Sequence, residues 1–409
     1  MTRTIARCLS LLLLCAPPGA LAAFFFRGDA AFPVLEDEIS YREDRAGHET
    51  SIDDLIADLD GWVSQKEKPF RGTGAPIRLW ARVDVPAQGT QRKVFLRTGA
   101  WERAEFFVLR DGRVVGRETA GTLIPWPQRR SIPMTPAAFH AGLVAIDLPA
   151  RSQTTILARL ATDNRFVRVT RLRFSLWDAA EVLDGERSDR LFQCAFHAVM
   201  LALMSGGLAF FLRDRRERSY AYFVLALAGS SFIQLLLYGV TVEALWPSHP
   251  AWDYYAMWIA IPVALWSFAG FSRHYLATGR GGGPDTLLKW AGNSALLLLP
   301  AGLLPLAAGS PASLRFALLG TMLASLAIIA SATAIAIRRA GPDRAARWFL
   351  AAMLCCGAGV LVTFASWVGV LPEVEWTLDA NQVGLALAAI LLSVGLVVRS
   401  RERAILERR

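Results

Sequence analysis

The chain has 409 residues, 54% of them hydrophobic, with 44 Lys and Arg against 35 Asp and Glu for a formal charge of +9. That length leaves room for two domains, and a mean hydropathy of +0.34 points to a membrane. The charge excludes less than it suggests and implies no nucleic-acid partner. Residues 24–188 are almost neutral, with 24 Lys/Arg and 23 Asp/Glu, and the basic surplus lies in loops between apolar segments farther along.

The first 23 residues read as a secretory signal peptide. Arg3 and Arg7 form its positive region, Leu9–Cys15 its apolar core, and Ala20-Leu21-Ala22 a small-residue cleavage site. The apolar run is too short to span a bilayer. Leu14 stands where lipid attachment at Cys15 would need a small residue, so that modification is not expected. Removal of the peptide would export residues 24–190 and take Cys8 and Cys15 with it. The remaining cysteines, Cys194, Cys355 and Cys356, lie in apolar segments. The exported part therefore holds no disulfide and depends on its own core, for which roughly 150 residues suffice.

From Phe32 to Trp177 the pattern has period two, the signature of strands. Ile77, Leu79, Ala81, Val83 and Val85 alternate with Arg78, Trp80, Arg82 and Asp84. Strands are predicted at Lys93–Thr98, Ala104–Leu109, Leu143–Leu148, Thr155–Leu160 and Arg165–Leu176. Asp111-Gly112 marks a hairpin turn ahead of Arg113–Arg117, because both residues tolerate positive φ. Strand spacing of about ten residues predicts an antiparallel sandwich over residues 24–178. One amphipathic helix is expected at Ser51–Gln65, with Ser51 as its N-cap and Ile52, Leu55, Ile56, Leu59 and Val63 on one face. Residues 179–190 form a linker with no slack except Gly185.

Seven apolar stretches follow, each near the ~20 residues a helix needs to cross a membrane. They run Leu191–Leu212, Tyr220–Val240, Asp253–Tyr275, Lys289–Ala308, Leu314–Ile337, Arg347–Leu371 and Asp379–Val398. Arg213, Arg215, Arg216 and Arg218 follow the first; Arg273, Arg280 and Lys289 follow the third. Arg338, Arg339, Arg344 and Arg347 follow the fifth, and the tail, residues 399–409, holds five more Arg. The opposite loops carry only Arg315 among basic residues. Since Lys and Arg near span ends stay cytoplasmic, the N-terminal domain is placed outside and the C-terminus inside. The predicted fold is seven transmembrane helices over 191–398 preceded by an all-β sandwich.

Four stretches resemble the extracellular module of bacterial seven-transmembrane receptors with diverse intracellular signalling modules. They are Ile39–Ala57 (ISYREDRAGHETSIDDLIA), Phe70, Arg78–Pro86 (RLWARVDVP) and Trp101–Val115 (WERAEFFVLRDGRVV). The membrane half is similar too, in Ser219–Val240, Trp246-Pro247 and Phe271–Pro284 (FSRHYLATGRGGGP). The resemblance runs from about Phe32 to the C-terminus. It implies a jelly-roll-like sandwich akin to carbohydrate-binding domains, a bacterial inner membrane, ligand sensing outside and signalling inside. Relatives usually continue into a coiled coil and a cyclase, kinase or phosphatase domain. Here the sequence stops at Arg399–Arg409, so the expectation is either a cytoplasmic signalling partner in trans or a truncated form of a longer chain, and the charged helical tail is compatible with a homodimer.

The candidate ligand-binding residues are Trp80, Arg97, Trp101, Arg103, Trp126 and Arg129, with Arg130 beside them. Exposed Trp and Arg on a sandwich could stack on and hydrogen-bond a sugar or another small polar ligand. The alternative is that these Trp pack in core or rim and these Arg are solvated. Pro125-Trp126-Pro127 reads as a rigid loop bordering such a site. Within the spans, His197 and Gln234 are candidate switch residues, with interhelical hydrogen bonding as their other role; His274 sits at a cytoplasmic end. Trp246, Trp252, Trp376, Trp290 and Trp348 read as interface anchors. Gly206-Gly207, Gly357, Gly359, Gly384 and Ala388 permit close helix contact, and Cys355-Cys356 reads as small packing residues. Gly281–Pro284 lacks the Lys and context of a phosphate-binding loop. No metal site, cofactor or enzyme active site is expected, since no span pairs His or Ser with His at the needed spacing. The reading is a receptor. The alternative, a transporter or channel with an exported capture domain, lacks mid-span carboxylates.

Overall fold

The computed structural model describes residues 38–406 except 45–50, 58–60, 71–76, 86–91, 99–100, 129–142, 149, 151–152, 164–171, 173, 279–282, 342, 368–369 and 372–374. The predicted signal peptide and Arg129 lie outside the described residues.

Strand-forming runs in the first half build two antiparallel sheets. In chain order they are β1 (Ile39–Glu43), β2 (Val63–Ser64), β3 (Ile77–Val85), β4 (Arg92–Thr98), β5 (Arg103–Arg110), β6 (Arg113–Ala120), β7 (Leu143–Leu148), β8 (Thr154–Thr162) and β9 (Phe174–Asp178). One sheet has the order β2-β1-β3-β8-β5-β6 and the other β7-β4-β9. Because side chains alternate across a strand, Leu79, Ala81 and Val83 of β3 and Phe106 of β5 meet Leu96 of β4 and Ile146 of β7 in one core between the sheets. The β5–β6 connection is the two-residue turn expected at Asp111-Gly112, with φ of 49° and 74°.

Helix α1 (Ile52–Ala57) begins where expected: the Asp54 N–H donates to Ser51 Oγ at 3.2 Å, and that hydroxyl donates to Asp54 Oδ2 at 2.8 Å. Its predicted extension to Gln65 is corrected. Gly61 takes a φ of 85°, and Val63 and Ser64 instead pair with Tyr41 and Ser40 as strand β2. Val63 packs against the inter-sheet core rather than on a helix face. The last predicted strand is observed as Phe174–Asp178; residues 165–171 and 173 are outside the described set.

The second half is helical. It comprises α2 (Ala179–Arg213), α3 (Arg218–Leu237), a short α4 (Val240–Ala244), α5 (Trp252–Tyr275), α6 (Gly283–Ala307), α7 (Pro311–Arg339), α8 (Arg344–Trp367) and α9 (Glu375–Leu406). All but α4 are long and apolar enough to cross a membrane, which gives the seven spans of a multi-pass membrane protein. Each span packs on the next, and the seventh returns to the first. Small residues set the closest approach. A Cβ on Gly359 of the sixth span would meet the Ala380 carbonyl oxygen at 2.3 Å, and one on Gly384 the Cys355 carbonyl oxygen at 2.6 Å. A Cβ on Gly357, by contrast, would meet no other side chain or helix within 4 Å.

Two features join the halves. Residues 179–190, expected as a linker, are the opening turns of the same helix as the first span, so β9 passes into α2 without a break. Val182 of α2 packs on Phe95 of β4 beside Ala145 and Trp177. Near the other sheet, the segment after β6 docks on the loop before the third span. There the Trp126 N–H donates to the Pro247 carbonyl at 2.8 Å, and Thr122 Oγ1 shares a 2.8 Å hydrogen bond with Tyr254 Oη.

Candidate functional site

The candidate residues of the N-terminal domain divide among several environments. Trp80 faces away from the inter-sheet core, as its alternation with Leu79 and Ala81 requires, yet it is only 2% exposed. It packs with Leu55, Phe107, Leu109 and Leu157, flanked by Ile52 and Ile56. Helix α1 lies over this side of the sheet, and a helix laid on the outer face cannot be read from alternation within a strand. Trp101 is 1% exposed and belongs to the core between the sheets. The expectation that these two rings stand open for stacking is thereby corrected.

Three of the remaining candidates are described. Arg97 lies in β4 opposite Leu143 and Ser175. Arg103 is exposed at the start of β5. Trp126 is half-buried in a turn of 3-10 helix, Trp126–Gln128, on the loop that docks at Pro247. Backbone bonds from Thr122 to the Trp101 carbonyl (3.0 Å) and from Leu123 to the Glu102 carbonyl (2.9 Å) draw Trp101, Arg103 and Trp126 to one corner of the domain. Trp80 is not part of it.

Inside the bundle the two candidate switch residues do come together with partners. A helix places residues three and four apart on one face. Gln193 and His197 therefore share a face of the first span, and Ser231 and Gln234 share one of the second. His197 Nδ1 lies 2.7 Å from Ser231 Oγ. Its Nε2 is buried with no hydrogen-bond partner among the described residues. One turn nearer the N-terminal domain, Gln193 and Gln382 of the seventh span exchange amide bonds, Nε2 to Oε1, at 3.0 and 3.2 Å. Gln382 Nε2 also donates to Gln234 Oε1 at 3.1 Å. All three amides are buried, Gln382 being 1% exposed. The next residues toward the domain are Tyr238 and Asp379, whose side chains bond at 2.8 Å.

This is a polar layer joining spans one, two and seven beneath the N-terminal domain. In an apolar bundle an amide has nowhere else to find partners, so the layer specifies which faces of the three helices meet. His197 and Gln234 were legible as polar residues in apolar runs. Gln193, Ser231, Tyr238, Asp379 and Gln382 were missed. The signal available was spacing: Gln193–His197 and Ser231–Gln234 repeat at helical intervals on consecutive spans, but pairing with Gln382 needs the third helix in place. Among the described residues no group of three or more His, Cys, Asp or Glu could hold a metal ion.

The anchor residues behave by type. Trp252 and Trp290 are 55% and 70% exposed at span ends. Trp246 is half-buried and its indole N–H donates to Asp253 Oδ1 at 2.6 Å. Comparison with known proteins adds one finding: residues 189–399 match the family described as 7TM diverse intracellular signalling. No curated protein matches the chain.

Proposed function

The chain belongs to the 7TM diverse intracellular signalling family, and on that premise we propose that it is a transmembrane receptor of the bacterial inner membrane. Its N-terminal sandwich senses a small polar ligand, carbohydrate-like or otherwise, on the outer side. Its helical tail addresses a cytoplasmic signalling protein in trans. One observation carries the reading: β9 ends at Asp178 and the helix of the first span begins at Ala179. A domain hung on a flexible tether could bind ligand without informing the membrane. A domain whose strand becomes the first span moves that span when it moves. The inside-facing end is equally continuous, since the seventh span and the tail to Leu406 are one helix. The distribution of Arg among the loops supports this orientation.

A ligand can shift the bundle only by its difference in affinity for two states, so binding itself is the first requirement. Full-length protein in nanodiscs is to be screened by thermal shift against sugars, amino acids, organic acids and nucleotides. A ligand at 100 times its Kd stabilises by about 2.7 kcal/mol, enough to raise the melting temperature visibly. Loss of that rise on Arg103→Ala or Trp126→Ala, with folding intact, would place the site at the corner near the bundle. A broad screen without any stabilising compound would count against small-molecule sensing by the sandwich.

A further inference from the structure

The third span differs from the other six in its surroundings. It is the most buried of the seven. It packs on the second, fourth and fifth spans. At the domain end its first turn is tied to the sandwich through Tyr254 and Thr122, and the preceding loop through Pro247 and Trp126. That loop is stapled to the same helix, because Asp253 Oδ1 accepts from Thr241 Oγ1 at 2.7 Å and from Trp246 Nε1 at 2.6 Å.

The tail end of the third span is held as firmly. The helix stops at Tyr275 and the chain turns at Ala277, with φ of 47°. The last carbonyls of a helix lack intrahelical partners and attract cations. Two guanidinium groups arrive from other spans. Arg339 Nη1 donates to the carbonyls of Leu276 and, at 2.8 Å, Ala277. Arg399 Nη1 donates to the Tyr275 carbonyl and its guanidinium lies 5.8 Å over the Tyr275 ring. That ring is itself fixed, its hydroxyl donating to the Ala345 carbonyl at 3.0 Å. Gly395, one turn before Arg399, admits the ring; a Cβ there would fall 1.9 Å from the Tyr275 hydroxyl. Arg399 opens the tail.

We propose that the third span is the mechanical link from sandwich to tail, and that Arg399 on the Tyr275 carbonyl is the latch it controls. Displacement of the sandwich moves Tyr254 and shifts the helix. The shift takes the carbonyl toward or away from Arg399, and the tail is held or released. Packed helices make such shifts of about 1–2 Å at interfaces. The inference rests on the receptor reading but adds a route that bypasses the first span.

The test needs no ligand. Spin labels are placed at Gly341→Cys and Arg401→Cys in full-length protein whose native cysteines are replaced, in nanodiscs. Distances are compared for the parent, Thr122→Val/Tyr254→Phe, Arg399→Gln and the combination. The expected result is a shift of about 2 Å or a clear broadening from either change alone, with the combination no different from Arg399→Gln. Arg399→Lys, which keeps the cation, should lie nearer the parent. If Arg399→Gln is not monodisperse, Gly395→Ala replaces it in the cycle, since it displaces the Tyr275 ring. Additive effects, or no effect of Thr122→Val/Tyr254→Phe, would overturn the proposal. A Gly/Ser insertion at Gly185 separates the two readings. If it moves the tail while the Tyr254 variant does not, transmission lies in the first span and the receptor reading stands. If neither moves it, both readings fail.

Discussion

Gln382 shows what a single side chain can hold together in an apolar bundle. It exchanges two bonds with Gln193 and gives a third to Gln234, so three spans meet at one amide. Gln382→Leu keeps the volume and removes all three bonds, leaving two buried amides short of partners. The expected cost is roughly 1–3 kcal/mol, read as a lower melting temperature of the full-length protein. A melting temperature equal to that of the parent would mean that the amides find other partners and that the layer does not specify the packing. Legibility at this scale was partial. A polar residue in an apolar run announces itself, as His197 and Gln234 did. Its partner lies 34 residues away for His197 and 148 for Gln234, beyond any local pattern. Trp80 illustrates the opposite failure. Its face was read correctly, but what covered that face belonged to α1.

Among the elements, those set by local chemistry or by clear alternation were legible, and the short strands β1 and β2, set by pairing alone, were not. The Asp111-Gly112 hairpin needs only two residues that accept positive φ, and the Ser51 cap only a hydroxyl before the first turn. Strands β1 and β2 exist because they find each other and β3; nothing within Val63–Ser64 requires a strand. The junction of β9 and α2 is the element on which the proposed receptor reading rests. The receptor reading predicts that four Gly/Ser residues inserted at Gly185 leave ligand binding unchanged. They should also diminish the ligand-induced change in spin-label distance at Arg401 by the share that the first span carries. A fully preserved response would show that the first span is not the route, and would favour the path through Tyr254.

Across the whole molecule, the orientation is the property that every functional statement depends on. The excess of Arg in alternate loops predicts that Arg401→Cys reacts with a membrane-impermeant maleimide only after the inner face is exposed. Glu243→Cys, in the short helix α4 ahead of the third span, should react in intact cells stripped of the outer membrane. The reverse pattern would invert the proposed direction of signalling. The docking of the sandwich on the bundle through Trp126 and Tyr254 belongs to this scale as well. It was invisible beforehand, because Pro125–Pro127 gave notice of a rigid loop but not of the surface it meets.

By itself the sequence determined what composition and period can determine. These are the number of spans, the side on which Arg collects, and the strand character of the N-terminal half. Each is written in contiguous residues, since hydrophobic length and alternation are local properties that membranes and sheets act on directly. Only the tertiary structure decided which faces meet. It laid α1 over Trp80, gathered Gln193, Gln234 and Gln382 into one layer, and buried the third span among its neighbours. It also brought Arg399 to the end of that span. Those outcomes depend on the close packing of helices far apart in the chain, and on polar groups that must find partners once lipid has excluded water.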